Sequence, residues 1–120
     1  MNDVYLALTK SSSGFPQAGF YSNTTFSYVT NSSFGLRQNQ WDHLAYVYNH
    51  PSHFLYLNGV LISSDTVNAK PLNIFRNQTY IGRSNWPLDN DADADFDDIK
   101  MFNIPLTGPQ VQFDMSNSLI

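Results

Sequence analysis

Short apolar segments alternate with turn-forming residues along most of the chain, and this pattern is typical of β-strands. The first apolar segment, Val4–Leu8, is followed by serines, a glycine and a proline, which predicts a strand that ends in a loop. Two more short strands are predicted at Gly19–Tyr21 and Phe26–Val29, on either side of Asn23. No segment before residue 105 has the apolar spacing of an amphipathic helix, so the pattern indicates an all-β fold.

The clearest long strand is predicted at Trp41–Tyr48, in which both alternating sets of residues include apolar side chains. Because both faces of such a strand need to be covered, we expect it to be central in a two-layer structure, with His43 buried in the core. The next run, FLYLNGVLIS at 54–63, places Asn58 and Gly59 between two apolar segments. An Asn-Gly pair readily adopts the positive φ angles of a type I′ turn, so this run predicts a tight β-hairpin.

The last third of the chain predicts further strands and a single helical turn. Strands are expected at Thr79–Gly82, with Leu72–Phe75 leading into it, and at Asp95–Asn103. Thr107 is followed three residues later by Gln110, which is the spacing of a helix capping box. Eight or nine short strands in 120 residues indicate a single domain, 1–120, folded as an antiparallel β-sandwich.

The composition supports a folded domain and excludes several partners. Hydrophobic residues make up 42% of the chain and charged residues only 13%, which is not the composition of a disordered protein. The net charge is −4 and no basic stripe is present, so nucleic acid is not an expected partner. No apolar run approaches the ~20 residues of a membrane span, and the absence of cysteine excludes disulfides and thiol chemistry.

The acidic residues are concentrated in one run, LDNDADADFDDIK, at 88–100. Four of its aspartates stand at alternate positions, where a curled loop could direct several oxygens at one hard cation: Asp89, Asp91, Asp93 and Asp95. Calcium takes about 6–8 oxygen ligands, so these residues are the candidate ligands for Ca²⁺. The EF-hand pattern is not met, because Ala94 stands where glycine is needed and Lys100 where glutamate is needed. The alternative is an acidic loop that is simply solvated.

Trp86 precedes the acidic run, between Asn85 and Pro87. An aromatic ring in a polar loop can stack on the face of a sugar while neighbouring amides, here Asn85 and Asn90, bind its hydroxyls. The alternative is ordinary loop packing. We therefore take Asn85, Trp86 and Asn90 as candidate ligand-binding residues.

The sequence does not favour catalysis. All ten acidic residues are aspartate, and Asp97 and Asp98 are adjacent on a predicted strand, so their side chains would point to opposite faces. A retaining glycosidase needs two carboxyl groups about 5 Å apart. His50 and His53 flank Pro51 in a predicted turn with no third zinc ligand. We expect a protein that is not an enzyme, with a glycoside hydrolase as the less favoured alternative.

Four segments in a fixed order resemble a known family: QWDHLAYVYN (40–49), FLYLNGVLISS (54–64), TYIGRSN (79–85) and FDDIKMFNIPLT (96–107). They are similar to landmarks of the concanavalin A-like lectin/glucanase superfamily, in its laminin-G-like and pentraxin-like branch. The resemblance implies a jelly-roll sandwich in which many relatives bind calcium through Asp and Asn on rim loops. It also implies structural roles for the landmark residues, namely Trp41, His43, Asn58, Gly59, Asp97 and Asp98.

The family pattern normally begins with one or two further strands, which have no counterpart before Val4–Leu8. The resemblance therefore implies a partial domain or a part of a larger chain. A missing strand would leave an open edge near Phe96–Asn103, and open edges pair with other strands. A homo-oligomer or a partner domain is the expected consequence.

The resulting functional hypothesis is a non-catalytic extracellular recognition module that binds a glycan or a protein through Ser84–Asp95, with the assistance of calcium. The alternative is a structural or assembly domain that pairs through its open edge. The first ten residues lack the features of a signal peptide. N-glycosylation sequons begin at Asn23, Asn31 and Asn77, only slightly more than chance gives, and point weakly to secretion.

Overall fold

The computed structural model of the protein describes residues 3–8 and 14–117. These residues form six strands, which are arranged in two sheets, and one helix. This confirms the predicted all-β sandwich with a C-terminal helical segment. The elements are β1 (Val4–Ala7), β2 (Gln17–Ser22), β3 (Thr25–Thr30), β4 (Leu44–Asn49), β5 (Ser52–Leu57), β6 (Val60–Thr66) and α1 (Gly108–Ser116).

Each sheet is a three-stranded antiparallel meander. The first sheet has the order β1-β2-β3 and the second has the order β4-β5-β6, so all neighbours in a sheet are consecutive in the chain. The tight connection between β2 and β3 pairs Ser22 with Thr25, and that between β5 and β6 pairs Leu57 with Val60. Strands joined in this way need only short turns, which the sequence supplies at Asn23-Thr24 and Asn58-Gly59.

The core lies between the two sheets. Ala18 and Val29 from the first sheet pack with apolar residues of the second sheet, of which Leu55 is fully buried. Phe20, also fully buried, lies with its ring centroid 5.4 Å from that of Tyr48. The inward positions alternate with outward ones along each strand, as expected for a sandwich with one core.

Helix α1 covers the outer face of the second sheet. Val111 is only 1% exposed and packs with Val47 and Tyr56. The second sheet is therefore covered on both sides, by the first sheet and by the helix. This arrangement explains why β4 has apolar residues on both faces. We predicted that β4 would be a central strand, but it lies at the edge of its sheet.

The two strongest local predictions are confirmed. Asn58 and Gly59 have φ angles of 51° and 77°, as a type I′ hairpin turn requires. The hydroxyl of Thr107 accepts a hydrogen bond from the backbone N–H of Gln110, and the Gln110 side chain accepts one from the backbone N–H of Thr107. This capping box begins a helix of nine residues, which is longer than the single turn that we predicted.

The strands predicted in the last third of the chain are wrong. No strand occurs between residues 67 and 107 of the described chain, so the predictions at Leu72–Phe75, Thr79–Gly82 and Asp95–Asn103 fail. Gly82 and Asp98 have φ angles of 79° and 51°, which are incompatible with an extended strand. The backbone of this region instead makes loop hydrogen bonds, such as that from the N–H of Ala92 to the carbonyl of Gly82 (2.7 Å).

Candidate functional site

The loop that follows residue 82 forms a small polar pocket. The cavity has a volume of about 280 Å³, which we call the rim pocket, and its lining residues are Arg83, Ser84, Asn85, Trp86, Pro87, Asp89 and Asp91. Small-molecule sites usually measure ~300–1,000 Å³, so the rim pocket lies at the lower limit of that range. Its lining overlaps the predicted binding loop, Ser84–Asp95, in six of its seven residues.

Trp86 anchors this loop to the first sheet. Its ring makes an edge contact with Tyr5 in β1 (5.9 Å between centroids) and a tilted contact with Tyr21 in β2 (5.6 Å). Its backbone N–H donates to the hydroxyl of Ser84 (3.0 Å), and its carbonyl accepts from the N–H of Asp89 (3.1 Å). Trp86, which lines the rim pocket, is therefore held in place by contacts of both its side chain and its backbone.

Trp86 is the end of a larger aromatic surface on the outer side of the first sheet. We call this surface the aromatic face, and it consists of Tyr5, Tyr21, Phe26, Tyr28 and Trp86. The rings of Tyr21 and Phe26 are nearly parallel with centroids 4.3 Å apart, and Phe26 and Tyr28 are 4.9 Å apart. Phe26 and Tyr28 remain 38% and 40% exposed, so the surface is open to contact.

The aromatic face depends on a close approach of two strands at Gly19. Gly19 lies in β2 between Tyr5 of β1 and Tyr28 of β3, and an added Cβ would collide with the carbonyl oxygen of Ser27. Tyr5 also receives a hydrogen bond from the side chain of Gln17 (2.6 Å). Burial raises the pKa of Tyr5 to about 12, with the Gln17 hydrogen bond acting in the opposite direction, so the phenol is neutral at ordinary pH.

These tyrosines were predicted to lie in strands, but their proximity on one face of the sheet was not predicted. The signal that could have found the surface was the alternation of Phe26 and Tyr28 opposite Tyr21, once the hairpin between them was accepted. Tyr5 and Trp86 could not be added without the tertiary structure, because they come from distant parts of the chain.

The structure brings two of the three candidate ligand-binding residues into the rim pocket. Asn85 and Trp86 line it, whereas Asn90 is exposed and is not among the lining residues. The side-chain amide of Asn85 donates to the carboxylate of Asp3 and to the carbonyl of Gln78, both at 3.3 Å. These contacts fix the orientation of the Asn85 amide.

The four candidate calcium ligands are not gathered at one point. Asp89 and Asp91 line the rim pocket, while Asp93 and Asp95 are exposed outside it. Across residues 3–8 and 14–117, no three His, Asp, Glu or Cys side chains are close enough to hold a metal ion. Calcium binding by this loop stays a prediction.

The landmark residues Asn58 and Gly59 lie at the centre of a hydrogen-bond network. The Asn58 side chain accepts a bond from the backbone N–H of His43 (2.8 Å) and donates to the carboxylate of Asp42 (2.9 Å). Asp42 also binds the side chain and the backbone N–H of Arg37. Burial would raise the pKa of Asp42, but the bonds and charge of Arg37 and the bond from Asn58 together lower it.

Two histidines differ from prediction in their burial. His43 precedes β4 and is only partly buried, beside Asp114 of α1, with Nε2 4.0 Å from the carboxylate. His53, which we placed in a turn, lies in β5 and is fully buried, with Nδ1 2.9 Å from the hydroxyl of Tyr46. The chain reverses earlier than predicted, and the strand therefore starts at Ser52 and carries His53 into the core.

The remaining landmarks, Trp41, Asp97 and Asp98, lie outside the strands that were predicted for them. Trp41 is outside β4 and 56% exposed, because the strand begins at Leu44. Asp97 and Asp98 are exposed in a loop and not on a strand; the Asp97 carboxylate accepts a bond from the backbone N–H of Asp98 (2.8 Å). This contact is local and connects no other element.

Comparison with known proteins places this geometry in a family. Residues 2–112 match a laminin G family model, described as concanavalin A-like lectin/glucanases superfamily. A solved structure, that of an S-layer domain-containing protein from Clostridium thermocellum, is similar with a TM-score of 0.62 and 19% sequence identity. The similarity covers 95% of this chain and 57% of that chain, so this chain spans little more than half of its structural relative. No curated protein matches the sequence.

Proposed function

Because this chain belongs to the laminin G-like part of the concanavalin A-like lectin/glucanases superfamily, we propose that it is a non-catalytic recognition module that binds a saccharide in the rim pocket. Domains of this kind are carbohydrate- or protein-binding modules and are typically extracellular or associated with a surface. No helix in the described residues is long and apolar enough to cross a membrane.

The observation that carries the proposal is the position of Trp86. Trp86 lines the rim pocket together with residues that carry an amide, a hydroxyl, a guanidinium and two carboxylates, namely Asn85, Ser84, Arg83, Asp89 and Asp91. Sugars present an apolar face of C–H groups and a rim of hydroxyls, and this combination of ring and hydrogen-bonding groups is complementary to both.

Binding to a glycan array, followed by calorimetry with the best saccharide, tests the proposal. We expect Trp86→Ala to weaken binding at least tenfold, because the stacking surface is lost. Trp41→Ala is the matched control, since Trp41 is an exposed tryptophan that does not line the rim pocket. Equal binding by the wild type and Trp86→Ala would contradict the proposal.

Calcium is the second part of the proposal. Asp89 and Asp91 supply carboxylate oxygens at the pocket, and a bound saccharide could complete the coordination of a hard cation with its hydroxyl oxygens. The same calorimetry in millimolar calcium and in excess chelator tests this part. We expect tighter saccharide binding in calcium than in chelator. Equal affinity under the two conditions would contradict a role for calcium in saccharide binding.

A second candidate function is assembly through the β1 edge of the first sheet, and not near Phe96–Asn103 as predicted, because that segment forms no strand. Val4 and Leu6 in β1 share the inner face with Phe20 and Ala18, yet they are 51% and 43% exposed. Edge strands with exposed apolar residues pair with further strands, so β1 could recruit a strand from a second copy of the chain.

A further inference from the structure

The turn between β5 and β6 contains the only Asn-Gly pair in the sequence, Asn58-Gly59. An asparagine that precedes glycine is chemically labile, because glycine has no side chain to hinder the attack of its backbone nitrogen on the asparagine amide. In the folded domain Asn58 is exposed and Gly59 is buried. We propose that Asn58 is a deamidation site that reacts only when the tip of the hairpin opens, and whose product no longer fits the native turn.

Deamidation of this pair consumes one molecule of water and needs no enzyme. The backbone nitrogen of Gly59 forms a bond to Cγ of Asn58, and the bond from Cγ to the amide nitrogen breaks. The amide nitrogen leaves as ammonia, with the proton that the Gly59 nitrogen gave up. Water then opens the cyclic imide at one of its two carbonyl groups, which leaves a carboxylate on aspartate or on isoaspartate. No atom is oxidised or reduced.

The segment before β4 fixes the side chain that is attacked. The amide oxygen of Asn58 accepts a hydrogen bond from the backbone N–H of His43 (2.8 Å), and its amide nitrogen donates to the carboxylate of Asp42 (2.9 Å). Asp42 is in turn bound by Arg37, and its side chain is only 7% exposed. Closing the imide ring moves Cγ of Asn58 onto the Gly59 nitrogen, so these hydrogen bonds oppose the reaction.

Helix α1 fixes the residue that attacks. The side chain of Gln112 donates to the carbonyl of Gly59 (3.0 Å), and a Cβ added at Gly59 would lie 3.1 Å from atoms of both Gln112 and Met115. The two reacting residues are therefore held by separate elements of the fold. Because the tip must open before they can react, deamidation is slowed by the small fraction of molecules in which it is open.

The product does not fit the native turn, for reasons of charge and of length. Deamidation replaces the nitrogen that donates to Asp42 by an oxygen of a carboxylate, at a site where the two groups are 2.9 Å apart. Two carboxylates at this distance repel each other, and Arg37 supplies only one positive charge. Isoaspartate also adds one main-chain carbon to a two-residue turn that the pair Leu57–Val60 closes. A chain that deamidates while unfolded should therefore refold poorly.

Peptide mass mapping tests the protection, with deamidation at Asn58 followed over time at mildly alkaline pH in native buffer and in guanidinium chloride. We expect the native protein to react at least about tenfold more slowly than the unfolded chain, because the open tip is a minor state. Equal rates would overturn the proposal. Asn58 and Gly59 do not line the rim pocket, so this result is independent of saccharide binding.

Two variants test whether the contacts at the tip give the protection. Asp42→Ala removes the acceptor of the Asn58 amide, and Gln112→Ala, at an exposed position of α1, removes the bond to Gly59. Phe20→Leu is the matched control, since Phe20 is a core residue whose ring contacts Tyr48 and His53 at the other end of β5.

The three variants are compared at denaturant concentrations that give them the same free energy of unfolding. We expect deamidation of both tip variants to be several-fold faster than that of Phe20→Leu. Equal rates in all three would show that the reaction follows global unfolding alone, which would overturn the role of the tip. Gln112→Ala decides the question if Asp42→Ala does not fold.

The fate of the product is tested with Asn58→Asp, which introduces the carboxylate without the longer main chain. We expect its midpoint of unfolding in guanidinium chloride to be lower than that of the wild type. The same substitution made in an Asp42→Asn background should lower the midpoint less, because the amide and the carboxylate then exchange positions. An equal decrease in both backgrounds would contradict the repulsion between positions 42 and 58.

Discussion

Asn58 joins the β5–β6 hairpin to the segment before β4 with contacts that no other residue type reproduces. It combines a positive φ with a side chain that bonds Asp42 and the backbone of His43, and its own N–H donates to the carbonyl of His43 (2.8 Å). The sequence motif predicted the turn, but the second role depends on residues 15 positions earlier in the chain.

Replacement of this side chain should destabilise the domain substantially. We expect Asn58→Ala to lower the free energy of unfolding by about 2 kcal/mol, because two hydrogen bonds are lost and alanine is strained at this φ. Asn39→Ala is the matched control, since Asn39 is exposed and has a similar φ of 57°. Denaturant unfolding compares them; equal losses would mean that the backbone strain accounts for the whole effect.

His53 makes the stability of the protein depend on pH. Burial lowers its pKa from 6.5, and the charge of Asp65 acts in the opposite direction without reversing the shift. The unfolded chain therefore binds a proton more readily than the folded one at pH values below 6.5. Stability from this residue is constant above pH 6.5 and falls as the pH decreases below it, by up to about 1.4 kcal/mol per pH unit.

We expect His53→Gln to flatten the decline in unfolding free energy between pH 6.5 and pH 5. His50→Gln serves as the control, because it makes the same substitution at an exposed histidine in the turn before β5. His43 contributes its own decline in both variants, because burial and, to a lesser extent, the charge of Lys100 lower its pKa while Asp114 raises it. An identical profile for the wild type and His53→Gln would show that this histidine does not titrate in that range.

At the scale of elements, α1 is the part of the fold that connects the end of the chain to the second sheet. Its capping box fixes where it begins, and Val111 on its first turn packs against Val47 and Tyr56. Gln112 donates a hydrogen bond to the carbonyl of Gly59 (3.0 Å), so the helix also holds the tip of the β5–β6 hairpin.

Thr107→Ala should weaken this attachment by removing the cap. We expect a loss of about 1 kcal/mol in unfolding free energy, whereas Thr107→Ser, which keeps the hydroxyl, should lose much less. Amide hydrogen exchange would show where the loss acts, with faster exchange in Gly108–Ser116. If Thr107→Ser is as unstable as Thr107→Ala, the capping hydroxyl is not the cause.

The whole molecule is a stack of three layers: the first sheet, the second sheet and the helix. The first sheet can be extended at its β1 edge by a strand from another chain. The second candidate function predicts a dimer in light scattering after size exclusion, and Leu6→Lys should return it to the monomer mass, because a charge at an edge opposes strand pairing. Leu88→Lys is the control, since Leu88 is exposed in the loop and lies outside β1. A wild-type monomer would exclude this mode of assembly.

The sequence predicted the parts of this architecture that local chemistry determines. The Asn58-Gly59 hairpin, the Thr107 cap and the strands at β1 to β3 follow from turn residues and alternation, which act within a few positions. The loops between 67 and 107 could not be predicted, because Gly82 and Asp98 adopt left-handed angles that no local pattern reveals. Apolar residues such as Ile99 and Phe102 suggested a strand there, although they are more than half exposed.

The candidate site shows the same division. The loop with Asn85 and Trp86 was predicted from composition, since an aromatic ring among amides and acids is typical of a binding rim. The packing of Trp86 against Tyr5 and Tyr21 was not predicted, because Tyr5 is 81 residues earlier in the chain. The contact depends on how the loop folds back onto the first sheet.

The packing of Val111 on Val47 and Tyr56 has a consequence for biosynthesis. The ribosome makes the β4–β6 hairpins before it makes α1, so the nascent chain exposes an apolar surface until α1 has been synthesised. A transcript that stops before Thr107 would leave that surface permanently bare. Such a product should be retained by chaperones and degraded, even though every residue of both sheets is present.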